Sequence, residues 1–146
     1  MSVEQPETRM EPIAGVYSVF ADNGHTTIEP IDKTVLRALA EAQEEDEPDL
    51  IVELIDLYLD DAPKLVGDIQ RAAKGGDAIA IKRAAHALKG SSGSMGVSQV
   101  AELCKVFEQL NSVELDHRSE LLLPLLIREF DRARDALLEE RRRRIS

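Results

Sequence analysis

Apolar side chains recur every three or four residues along most of the chain after residue 30, which is the spacing of helices that bury one face. The pattern predicts a short helix after Asp32 and four longer helices at about residues 49–74, 77–93, 98–110 and 119–143. Asp32, Asp77 and Ser98 are predicted N-caps. The polar residues 111–118 predict a loop. The economical fold is all-α, an antiparallel up-down four-helix bundle with a short preceding helix.

Two prolines lie within the helical pattern. Pro63 removes an internal hydrogen bond, so a kink is expected in the first long helix. Pro124 predicts that the regular part of the last helix begins near Leu123. Residues 1–30 contain three of the six prolines and show no sustained period. We expect them to form a flexible tail or linker, followed by one bundle domain at residues 31–144.

Composition argues against several classes of function. The formal net charge is −10, whereas nucleic-acid binders usually carry a basic stripe, and anionic membrane surfaces are disfavoured for the same reason. The longest apolar run, near residues 121–127, is too short to span a bilayer. Cys104 is the only cysteine, which excludes an intrachain disulfide and suggests a buried structural thiol. No signal-peptide segment is seen at the start, so a cytoplasmic location is predicted.

One imidazole is predicted on the exposed face of the second long helix. At about 100° per residue, His86 points away from the apolar stripe that contains Ile81 and Leu88. A neutral imidazole is a nucleophile, and nearby cations can offset negative charge on a group that it attacks. The same face is predicted to hold Ile79, Lys82, Arg83, Lys89, Gly90 and Gly93.

The segment from His86 to Gly96 reads His-Ala-Leu-Lys-Gly-Ser-Ser-Gly-Ser-Met-Gly. It resembles the signature of the histidine-phosphotransfer (HPt) domains of two-component phosphorelays, with Met95 in place of the usual leucine. The likeness continues through residues 97–110, where Leu103, Cys104 and Glu108 fit the next helix of the family. It also includes residues 58–63 and 76–77, and it covers about residues 31–140.

The resemblance implies a phosphorelay intermediate with no kinase site of its own. His86 is then the phospho-acceptor, and Lys89 and, on helical geometry, Lys82 lie beside the phosphoryl group. The docking surface for a partner is expected to include Ile79, Arg83, Gly90 and Gly93. The implied partners are a response-regulator receiver domain and a hybrid sensor histidine kinase. No metal or cofactor is expected in this chain, because the receiver brings the magnesium, and a monomer is expected.

The sequence leaves other interpretations open. A non-catalytic helical module would use the His86 surface only to bind a receiver or kinase. A metal-carboxylate bundle is disfavoured, because Glu114 and His117 supply only one Glu-x-x-His spacing, and that spacing lies in the predicted loop. The glycine-serine run lacks the features of a P-loop and of a Gly-x-Ser-x-Gly nucleophile elbow.

Overall fold

The computed structural model describes residues 28–45 and 48–145. These residues form five helices and no strand: α1 (Lys33–Glu41), α2 (Leu50–Lys74), α3 (Ala78–Ser94), α4 (Ser98–Gln109) and α5 (Ser112–Ile145). Most of the predicted tail at residues 1–30 therefore lies outside the described residues. Among the described residues, no helix has both the length and the apolar content needed to cross a membrane.

The four long helices form the predicted up-down bundle. α3 packs against α2 and α4, and α5 closes the ring by packing against α2 and α4. The connections between successive helices are short, as antiparallel neighbours require. α1 lies outside the ring against α2. The core is built mainly from aliphatic side chains, and its largest fully buried member is Phe107.

Acidic residues begin three of the helices, as their positions in the sequence predict. Asp32, Asp49 and Asp77 each accept hydrogen bonds from backbone N–H groups in the first turn of α1, α2 and α3. The predicted Ser98 cap is wrong: Val97 is the N-cap of α4, it makes no side-chain capping bond, and Ser98 is the first helical residue. α4 begins there because Gly96, at φ +76°, turns the chain and Val97 N–H donates to Ser92 O at 2.8 Å.

The loop predicted at residues 111–118 is wrong. α5 begins at Ser112, because Asn111 and Glu114 cap it reciprocally. The Asn111 side chain accepts from Glu114 N–H at 2.9 Å, and the Glu114 carboxylate accepts from Asn111 N–H at 3.0 Å. The helix also continues through Pro124, so the predicted start near Leu123 is wrong as well. Glu120, whose carbonyl loses its N–H partner to this proline, is solvent-exposed.

The arginine run at the C-terminus of α5 is paired with carboxylates. Arg141 donates to Asp56 of α2 at 2.6 Å, and Arg144 lies 3.6 Å from Asp49, the cap of that helix. Arg142 and Arg143 bond to Glu139 and Glu140 on their own helix. This run therefore joins the end of α5 to the start of α2 and does not form an unpaired basic patch.

Candidate functional site

His86 lies on the solvent-facing side of α3, as predicted. Its side chain is 73% exposed, while the opposite face of the helix buries Ile81, Ala85 and Leu88. Because α3 is held between α2 and α4 by that buried face, the position of the imidazole is fixed by the core. The ring is accessible to a second protein.

Glu108 of α4 contacts the imidazole from the side. His86 Nδ1 and Glu108 Oε2 are 2.8 Å apart. α4 directs the carboxylate toward α3 because the neighbouring Cys104 and Phe107 are buried in the core. The Glu108 side chain is 22% exposed. The sequence distinguishes Glu108 from the other polar residues of this helix only through the family resemblance, and it does not predict the contact with His86.

Lys89 holds the other oxygen of the same carboxylate. Its Nζ atom forms an ion pair with Glu108 Oε1 at 2.7 Å. Burial raises the pKa of Glu108, but the interactions with Lys89 and His86 outweigh burial and hold that pKa below its usual value. An ionised carboxylate can only accept a hydrogen bond, so Nδ1–H is the donor. In the neutral ring, the free lone pair is then on Nε2.

The surface beyond His86 on α3 is open. A methyl group added to Gly90 or Gly93 would meet nothing within 4 Å. The nearby hydroxyls of Ser91 and Ser94 donate to carbonyls of their own helix. This part of α3 therefore presents backbone and small side chains, with free space for an approaching loop.

The remaining predicted residues lie on the N-terminal half of α3. Ile79 is 72% exposed, an unusual position for a large apolar side chain. Lys82 and Arg83 form no ion pair with any described residue. Their positions place an apolar contact and two unpaired cations on the face that carries His86.

The rival site types find little support in the described part of the chain. No group of three or more histidine, cysteine, aspartate or glutamate side chains is arranged to hold a metal ion there. The Glu114 carboxylate caps α5. Cys104 is buried, and burial raises the pKa of its thiol to about 12, which leaves it protonated at neutral pH. His86 with Glu108 and Lys89 is therefore the candidate site.

Comparison with known proteins gives a consistent family assignment. The Hpt domain family matches residues 53–140, which include His86, Lys89 and Glu108. Two curated relatives from Arabidopsis thaliana are histidine-containing phosphotransfer protein 5, 32% identical over 79 residues, and protein 2, 31% identical over 74 residues. These matches cover 52% and 49% of this chain and 50% and 47% of the two relatives, so the chain spans about half the length of the curated relatives it matches.

A solved structure agrees with these matches along most of the bundle. It is histidine-containing phosphotransfer protein B (HptB) from Pseudomonas aeruginosa PAO1, with a TM-score of 0.68 and 30% identity. The alignment covers 78% of this chain and 96% of that chain. The chain therefore belongs to the Hpt domain family.

Proposed function

We propose that this chain is a phosphorelay intermediate that accepts a phosphoryl group on His86 and exchanges it with the aspartate of a response-regulator receiver domain. The observation that carries the proposal is the exposed imidazole whose Nδ1 lies 2.8 Å from Glu108. That contact leaves Nε2 as the nucleophilic nitrogen of the neutral ring. Membership of the Hpt family and the relatives named as phosphotransfer proteins support the same reaction.

The proposed transfer is a direct displacement. The Nε2 lone pair attacks the phosphorus of the receiver's aspartyl phosphate, and a P–N bond forms as the P–O bond to the aspartate breaks. The leaving carboxylate keeps the bonding pair. The reverse reaction returns the phosphoryl group from His86 to the aspartate of a receiver. The acid-base and electrostatic work is divided between two proteins, and the receiver supplies the magnesium expected from the family resemblance.

The neighbouring residues support transfer in distinct ways. Lys89, now paired with Glu108, turns its flexible side chain to share its charge with the phosphoryl oxygens. Lys82 adds a second cation on the same face. The open backbone at Gly90 and Gly93 admits a receiver loop, and Ile79 and Arg83 provide apolar and charged contacts at the edge. A hybrid sensor histidine kinase is the expected upstream partner, and a monomeric, cytoplasmic protein remains our prediction.

Transfer from a phosphorylated receiver tests this proposal. Wild type is expected to acquire acid-labile, alkali-stable phosphate, and His86→Gln is expected to acquire none while keeping its fold and its binding to the receiver. His117→Gln is the matched control, because His117 is also an exposed helical histidine. Transfer to the His86→Gln variant would refute the assignment. Binding of a receiver without any transfer to wild type would favour the non-catalytic module.

A further inference from the structure

We propose that Glu108 keeps the Nδ1 proton on His86 after the phosphoryl group has arrived, so that the phosphorylated ring persists as an imidazolium and remains a ready donor. This inference rests on the proposed function, and it concerns the protein after His86 has been phosphorylated. It makes Glu108 a positioning residue that acts through His86 and does not touch the phosphoryl group.

The chemistry of transfer creates the need for such a residue. When the Nε2 lone pair forms the P–N bond, the ring gains a positive charge while Nδ1 still carries its proton. If that proton left, the later departure of the phosphoryl group would have to release an imidazolide anion, a poor leaving group. If the proton stays, the ring departs as neutral imidazole. The protonation state of Nδ1 therefore sets how readily phospho-His86 gives up its phosphoryl group.

The geometry places a fixed negative charge at that proton. Glu108 Oε2 is 2.8 Å from Nδ1, and an opposite charge at hydrogen-bond distance favours the charged form of a titrating group. In the unphosphorylated chain, Lys89 Nζ lies 2.7 Å from the other carboxylate oxygen and so restricts rotation of the carboxylate before the phosphoryl group arrives. The Glu108 side chain is partly buried, which reduces screening of its charge by water.

The other charged groups around the ring act from farther away. On α3, the positive charges of Lys82, Arg83 and Lys89 disfavour protonation of the ring, whereas the negative charge of the phosphoryl group favours it. On α4, Lys105 lies one turn before Glu108 on the exposed side of the helix. From α2, Asp68 and Arg71 line a groove with Arg83 and are paired with each other. Among the described residues, only Glu108 is bonded to a ring nitrogen of His86, and electrostatic energy falls with distance.

Nitrogen-15 NMR of histidine-labelled, phosphorylated protein tests the inference directly. In wild type, Nδ1 of phospho-His86 is expected to titrate at least about one pH unit higher than in Glu108→Gln, which corresponds to about a tenfold change in the protonation equilibrium. At pH values at which Nδ1 of phospho-His86 has lost its proton in Glu108→Gln, this variant should lose its phosphoryl group about tenfold more slowly than wild type. The matched control is Glu102→Gln, which removes an exposed carboxylate from α4 and should behave as wild type.

A second measurement keeps the inference falsifiable if the Glu108 variant folds poorly. The pH at which Nδ1 of phospho-His86 is half-protonated in wild type is compared with that of Nδ1 in free phosphohistidine in the same buffer. The midpoint in the protein is expected to be higher. Equal titrations, or equal rates of loss in Glu108→Gln and Glu102→Gln, would overturn the inference while leaving phosphotransfer intact. Failure of wild type to take up a phosphoryl group on His86 would instead refute the proposed function.

Discussion

The Tyr58 hydroxyl and Ser92 Oγ lie 2.8 Å apart in the core, and their hydrogen bond joins α2 to α3. Both residues are buried, and burial raises the pKa of Tyr58 above its usual value. Ser92 lies within the segment that resembles the HPt signature, six positions after His86. The second serine of that segment thus has a structural role, because it fixes how α3 sits on α2 and so how the imidazole is presented.

Removing the serine is expected to cost more than removing the phenol hydroxyl. Ser92→Ala leaves a buried Tyr58 hydroxyl without a partner, a loss of about 1–3 kcal/mol. Tyr58→Phe leaves a serine that can turn to a carbonyl of its own helix, a loss of about 0.5–1.5 kcal/mol. Urea unfolding of both single variants and the double variant measures the coupling. Additive effects would contradict a direct hydrogen bond.

Gly96 is expected to tolerate alanine worse than Gly76, although both have positive φ. A Cβ at Gly96 would lie 2.7 Å from Asp32 O and 3.0 Å from Val35 Cβ, whereas one at Gly76 would meet nothing within 4 Å. Gly76→Ala should therefore cost only the left-handed backbone penalty of about 1–2 kcal/mol, and Gly96→Ala distinctly more. Equal midpoints in urea would show that α1 is not packed against the turn at Gly96.

Gly90 is expected to be suboptimal for folding and necessary for binding. Alanine at this open helical position should raise the free energy of unfolding by about 0.5–1 kcal/mol. The Gly90→Gln variant should fold at least as stably as wild type. Its affinity for the receiver should be about tenfold lower, equivalent to about 1.4 kcal/mol. Parallel titration with a receiver and urea unfolding separate the two effects. If stability and binding fall together, Gly90 is merely structural.

Cys104 is expected to report on unfolding. Burial raises the pKa of its thiol to about 12, so little thiolate exists at pH 8, and the thiol is shielded from solvent. Labelling with an aromatic disulfide reagent should be slow for the native protein and fast in denaturing urea. Rapid native labelling would contradict the packing of α4 against the core.

The bundle was largely predictable because its signals are local. The apolar spacing predicted the bounds of α2 closely, and the predicted cap at Asp77 gave the start of α3. The start of α5 was missed, although Asn111 and Glu114 have the spacing of a capping box. The polar composition of residues 111–118 favours a loop, but Leu115 within them is buried in the core as part of α5.

The candidate site was only partly predictable. The helical period placed His86 on an exposed face, with Lys89 one turn later. It did not predict that Glu108 bonds to both residues, because that contact depends on how α3 and α4 are rotated against each other. Such rotation is set by packing of the whole core and not by the period of either helix.

Locating the phosphoryl group after transfer tests the central claim most directly. Wild-type protein phosphorylated by a receiver is digested at neutral to alkaline pH and sequenced by electron-transfer mass spectrometry, which preserves the P–N bond. We predict one phosphoryl group, on His86. A group on His117 or on any other residue, or none on a folded protein that binds a phosphorylated receiver, would contradict the account.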